Sequence, residues 1–150
     1  MRKVLLWIIA ALVVVFIAFA LFVRASGGDQ AFHFDPAKAE ERGKQNDYIV
    51  SPTGEGVDMA SPVFEMTPDA LMARFKEVAL VAPNTALVAE RDGYATFVQR
   101  SKLMAYPDYV SVRAVEAEGG SALYVYSRAR FGVRDFDVNK ARVLAWLKKI

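Results

Sequence analysis

The stretch Ser127-Arg128-Ala129-Arg130-Phe131-Gly132-Val133-Arg134-Asp135-Phe136-Asp137-Val138-Asn139-Lys140-Ala141-Arg142 gathers most of the usable chemistry in this chain. The planar guanidinium groups of Arg128 and Arg130 can grip a carboxylate or phosphate through paired, charge-assisted hydrogen bonds. Asp135, Asn139 and Arg142 fall around a helix start, expected within reach of Arg128 or Arg130. Such a cluster is first of all a network that locks a loop to a helix. Its second use is an anion site at a positive helix end, which Asp135 and Asp137 oppose. A third is catalysis by Asp135, Asn139 and Arg142, with Tyr124 or Tyr126 as an acid.

The other routes to catalysis are short of parts. The chain has no cysteine, which removes a thiol nucleophile and a Cys-ligated metal. Its one histidine, His33, lies about ten residues beyond a long apolar run, where a solvated tether side chain is expected; a Ser-His-Asp relay or a His-rich zinc site within the folded part is excluded. Asp135 and Asp137 with Asp108 offer oxygens to a divalent cation, but Asp-x-Asp before a helix is ordinary cap and salt-bridge chemistry, so no metal is expected. Gly54-Glu55-Gly56 is loop composition, and no phosphate-cradling glycine motif is present. The sequence implies no cofactor.

Turn signals define the elements that must carry these groups. Thr67-Pro68-Asp69 starts a helix with a hydroxyl cap, Pro at the first position and an acid at the positive end, with Leu71, Phe75, Val78 and Ala82 on one stripe before Pro83-Asn84. Asp92-Gly93, Tyr106-Pro107-Asp108-Tyr109 and Gly119-Gly120 cut out strands over residues 85–91, 94–104, 109–117 and 121–131. Asp137 is expected to cap a last helix through Leu144, Leu147 and Ile150, with Phe136 and Ala141 as a staple. Tyr48 to Val50 reads as a short extended segment. The sum is an α+β domain: a four-stranded antiparallel meander with a helix before and a helix after it, both packed on one face.

If Gly119-Gly120 is the hairpin loop, Glu118 pairs with Ser121 and every later pair follows. Val110, Val112 and Ala114 then share the helix-facing side with Ala129, Ser127 and Val125. Tyr109, Ser111, Arg113 and Val115 share the other with Arg130, Arg128, Tyr126 and Tyr124. Two readings of that aromatic and cationic face remain open. It is a solvated sheet face with Arg stacked on Tyr, or a surface that binds an anionic ligand.

Gln99-Arg100-Ser101, Tyr106-Pro107-Asp108-Tyr109, Val110-Ser111-Val112 and the Ser-Arg-x-Arg, Gly, Asp, Asn-x-x-Arg pattern together resemble the domain of unknown function numbered 1499, over roughly residues 46–150. The resemblance implies that Ser127, Arg128, Arg130, Gly132, Asp135, Asn139 and Arg142 form a family signature. It implies no activity. Asn46-Asp47-Tyr48-Ile49-Val50-Ser51 departs from the family's Cys-containing stretch, so no role of that Cys transfers.

The first residues place the domain. Val4 to Val23 is an uncharged apolar run between Arg2-Lys3 and Arg24, at about 1.5 Å per residue long enough for a bilayer core of about 30 Å. It exceeds the apolar core of a cleavable signal peptide, although Val23-Arg24-Ala25 before Ser26 makes a passable cleavage site. Arg2, Lys3 and Arg24 supply three of the 19 basic residues and all 17 acids follow the run, leaving 16 basic against 17 acidic. No nucleic-acid partner is implied. The organisation expected is a cytoplasmic stub over residues 1–3, a transmembrane anchor over 4–23, a tether over 24–46 with one helical turn in Ala37 to Gly43, and one domain over 47–150. The location expected is a bacterial inner membrane, single-pass, with the domain on the periplasmic side.

The functional expectation is a non-catalytic binding module. It would take an anionic small molecule, a lipid headgroup or an envelope protein through Ser127, Arg128, Arg130, Asp135, Asn139, Arg142, Tyr109, Arg113 and Tyr126, with Gly132 and Asp137 shaping the junction. The alternatives are an envelope hydrolase-like enzyme and an assembly protein pairing through the edge strand at residues 85–91.

Overall fold

The computed structural model describes residues 2–26, 28, 30–39, 46–134 and 136–150. The apolar run forms one helix, α1 (Arg2–Ala25), long and apolar enough to cross a membrane. The rest is α+β. In chain order it comprises β1 (Asp47–Ser51), β2 (Met59–Ala60), α2 (Pro68–Val81), β3 (Thr85–Arg91), β4 (Tyr94–Arg100), β5 (Pro107–Ala117), β6 (Gly120–Ala129) and α3 (Val138–Leu147).

The sheet is larger than the sequence reading. The meander β3-β4-β5-β6 is present, but β1 adds to β6 antiparallel and β2 adds to β1 parallel, giving a mixed six-stranded sheet in the order β2-β1-β6-β5-β4-β3. Short β1 and two-residue β2 carry too little periodicity to be read as paired strands. The expected strands over 94–104, 109–117 and 121–131 also move at their ends. Pro107 is the first residue of β5 instead of a turn residue, and the turn is carried by the loop over residues 101–106, where Ala105 takes φ +56°. Pro fits there because a strand's first residue can do without an amide donor.

Both helices lie on one face of the sheet, over a single core. Phe75 of α2, Phe97 of β4 and Trp146 of α3 form its centre, with ring centroids 5.7–6.5 Å apart, surrounded by Leu71, Val110, Val112, Leu123, Val125 and Val143. Burying each such side chain stabilises the fold by about 1.5–3 kcal/mol. Thr67 caps α2 as expected, its hydroxyl accepting from the Ala70 amide at 3.3 Å.

The start of α3 departs from the sequence reading. Asp137 occupies the cap position with φ +62° and its side chain makes no cap bond, while Phe136 is 90% exposed and staples nothing. The buried stripe is Asn139, Arg142, Val143, Trp146 and Leu147. Leu144, expected inside, faces out because the polar residues take the inward turn.

The β5–β6 register is two residues away from the expected one. Tyr109 pairs with Arg128, Ser111 with Tyr126 and Arg113 with Tyr124, and the loop is Glu118-Gly119. Gly120 belongs to the strand for a steric reason. A Cβ there would lie 2.0 Å from the Phe64 carbonyl oxygen, where Phe64 and Ser121 exchange backbone bonds of 2.8 and 2.9 Å. A shift of two preserves the alternation, so each side chain keeps its expected face.

Candidate functional site

Alternation along β6 divides the signature residues between two sides of the sheet. Ser127 points to the helices, together with Asn139 and Arg142 of α3; Arg128 and Arg130 point to the opposite side. The expectation that Arg128 or Arg130 reaches the α3 cluster is therefore wrong: the residues are near in sequence, but the sheet itself stands between them. Asp135 lies outside the described residues.

The inner cluster is a hydrogen-bonded lock. Arg142 donates from Nε to Gln99 Oε1 (2.6 Å), from Nη1 to Asn139 Oδ1 (2.6 Å) and Ser127 Oγ (3.1 Å), and from Nη2 to Asp108 Oδ2 (2.6 Å). Ser127 Oγ donates to Asn139 Oδ1 at 2.6 Å, and Asn139 Nδ2 donates to the Asn46 carbonyl at 2.9 Å. Asn46 Nδ2 in turn donates to the Gly132 carbonyl at 2.7 Å. Asn139 is 0% and Arg142 8% exposed, so the network ties α3 to β4, β5, β6 and the chain before β1 from inside, with its acceptors Gln99 and Asp108 partly exposed. Gly132, at φ +89°, bends the chain out of β6 toward α3.

The outer face is cationic and aromatic, as read from the alternation, but it is not open. Residues 30–39, expected as part of a free tether, lie across it. Phe32 stacks on Tyr109 with centroids 4.3 Å apart and planes within 8°, and its carbonyl accepts a hydrogen bond from Arg128 Nη2. Arg130 sits 4.8 Å over the Phe32 ring, and Arg128 packs 4.7 Å from Tyr126 and 5.8 Å from Phe34. His33 stacks on Tyr94 at 4.2 Å and shares a 2.9 Å hydrogen bond with Thr96, which corrects the reading of a solvated tether histidine. Asp35 pairs with Arg113 at 3.1 Å and also accepts from the Ala37 amide, starting a short 3₁₀ turn at Pro36–Lys38. The remainder of the helical turn expected through Gly43 lies outside the described residues.

Electrostatics follow this cover. Burial lowers the pKa of Arg128, against the pull of Tyr126, Tyr109 and Asp47. Burial likewise raises that of Tyr126, helped by Asp47. His33 is pushed below its ordinary value, mainly by burial and next by Arg91, with Asp92 acting the other way. Beside the turn, a cleft of about 450 Å³ opens among Pro36, Ala39, Ser51, Thr53, Glu55 and Tyr124. Among the described residues no group of His, Asp and Glu is placed to hold a metal ion.

Sequence reasoning missed both ends of this arrangement. In the sequence Asp108 reads as a turn residue and an oxygen donor beside Asp135 and Asp137, and Gln99 as a strand residue, although a buried Arg142 demands acceptors. Three aromatic or imidazole rings in a row, Phe32-His33-Phe34, were the available sign that the tether is packed.

The chain is thus an apolar helix of membrane-spanning length joined to an α+β domain whose cationic sheet face is covered by the segment that links the two. The chain belongs to the family described as Protein of unknown function (DUF1499), whose model matches residues 35–150. No curated protein and no solved structure matches it.

Proposed function

We propose that this protein is a membrane-anchored, non-catalytic interaction module whose Arg/Tyr sheet face binds a short peptide, filled in this state by residues 30–39 of the same chain. The observation that carries the reading is the chemistry of the cover: a guanidinium on a main-chain carbonyl, ring stacked on ring, and a carboxylate on Arg113. These are contacts that a segment from another chain with an aromatic-x-aromatic-acid pattern can reproduce. Residues 30–34 precede the family match, whereas residues 35–39 fall inside it. The enzyme reading is disfavoured by the burial of Asn139 and Arg142, whose side chains are already bonded to Ser127, Gln99, Asp108 and the Asn46 carbonyl. Edge pairing is disfavoured by the irregular pairing between Leu87 and Ala89, which breaks the ladder that would template another strand.

The test replaces residues 30–34 by Gly and Ser in the detergent-solubilised full chain and titrates it with a fluorescent peptide of residues 30–39. Saturable anisotropy that is lost on Arg128→Ala supports the proposal. A folded variant that binds no peptide refutes it.

A further inference from the structure

The end of the domain from which α1 emerges carries features that the sheet face does not use. Phe19 of α1 touches Tyr106 at 6.4 Å and Phe22 touches Phe131 at 6.5 Å, with Tyr106 and Phe131 6.0 Å from each other. Arg100 locks this junction, donating from Nη1 to the Val23 carbonyl (3.3 Å) and from Nη2 to the Ser26 carbonyl (2.5 Å). Val23 is fully buried there. The domain is therefore docked on the last turns of the helix instead of hanging beyond them. Phe19 lies four residues before Val23, about 6 Å along the axis, so Tyr106 and Phe131 stand at the depth of the apolar run's own final turns.

Two loops flank this junction, and both end in apolar side chains that contact nothing that would bury them. Leu103, in the loop over residues 101–106, is 84% exposed; Val133 and Phe136, in the loop between β6 and α3, are 78% and 90% exposed. Beside them a cleft of about 410 Å³ is lined by Arg24, Arg100 and Lys102 with Asn84, Thr85 and Ser101, and among the described residues no acid lines it.

We propose that this end of the domain is a bilayer-contacting surface: Leu103, Val133 and Phe136 enter the interfacial layer of the membrane that α1 crosses, and a phospholipid phosphate occupies the Arg24–Arg100–Lys102 cleft. The argument is continuity and charge. Aromatic side chains beside a membrane helix at the depth where its apolar run ends belong to the interfacial belt, cations just beyond it face lipid phosphates, and exposed aliphatic tips gain apolar surroundings by dipping between headgroups. The proposal rests on α1 being membrane-embedded. It fixes the stance of the domain, so that the covered sheet face is held at a set height and orientation above the lipid.

The absence of native cysteine allows single spin labels in the full chain in nanodiscs. Leu103→Cys and Phe136→Cys report the two loops, Val13→Cys the middle of α1, and Glu118→Cys the hairpin at the opposite end of the sheet. The expected result is that labels at positions 103 and 136 are more accessible to oxygen than to a water-soluble nickel chelate, while the label at 118 shows the reverse. Immersion at 103 should deepen when phosphatidylglycerol is added to phosphatidylcholine, and Lys102→Gln should remove that increment; free inorganic phosphate should not substitute for the lipid. A lipid-exposed label at 13 with water-exposed labels at 103 and 136 overturns this proposal alone. A water-exposed label at 13 overturns the anchor as well.

Discussion

Arg142→Met should be among the most damaging single changes outside the apolar core. It removes a guanidinium that supplies four hydrogen bonds, taking from the Asp108 carboxylate, 15% exposed at its side chain, its 2.6 Å pairing with Arg142 and from Gln99 Oε1 its donor. Breaking a buried ion pair by deleting one partner costs about 3–5 kcal/mol, because the remaining charge is stranded in a poorly solvated site. For a domain of about 100 residues each kcal/mol moves the melting temperature by about 4 °C, so a drop of about 12–20 °C is expected. Part of that cost is the lost pairing of the Asp108 carboxylate. Adding Asp108→Asn should therefore recover at least about 1 kcal/mol, the signature of coupled neighbours. Circular dichroism melts of wild type, both single variants and the double variant in one detergent give the cycle. If Arg142→Met melts within about 4 °C of wild type, or the two losses simply add, the network is not the lock described here.

Two further expectations concern the turn and the cover. Gly120→Ala should cost about 2–3 kcal/mol by driving a methyl group into the Phe64 carbonyl, whereas Gly119→Ala, with nothing within 4 Å of the added Cβ, should cost only the backbone penalty of about 1–2 kcal/mol; denaturant midpoints that rank them the other way would contradict the register. His33 has a depressed pKa while its segment is docked, so the docked state binds fewer protons than the released one, and docking weakens as the pH falls through the free-histidine value of about 6.5. A spin label at Lys38→Cys should gain mobility between about pH 7.5 and pH 5.5, and His33→Gln should abolish the dependence; equal mobility at both ends would remove His33 from the account.

Much of this architecture is legible in the sequence where one local rule dominates. Thr67-Pro68 marks α2, the turn dipeptides mark the meander, and alternation along β5 and β6 assigns Tyr109, Arg113, Tyr126 and Arg128 to one face even with the register displaced by two. What escapes is whatever depends on distant partners. Gly120 looks like a turn glycine until Phe64, far back in the chain, is brought against it. Asp47 to Ser51 becomes a strand because β6 offers a free edge. Asn139 and Arg142 read as a loop-to-helix network, which they are, but their acceptors Gln99 and Asp108 come from β4 and β5. Residues 30–39 carry a sign of packing in Phe32-His33-Phe34, but the surface they pack on comes from β4, β5 and β6, far along the chain.

Amide hydrogen exchange of the full chain in nanodiscs addresses that cover most directly. Residues 30–39 of the wild-type chain should exchange slowly, and Arg128→Ala should speed their exchange by tenfold or more while protection in β4, β5 and β6 stays unchanged, since losing a charged hydrogen bond of about 1.5–3 kcal/mol should release the segment and leave the sheet folded. Unchanged protection in residues 30–39, or acceleration shared equally by the sheet, would mean that the segment is not a ligand held by the Arg/Tyr face.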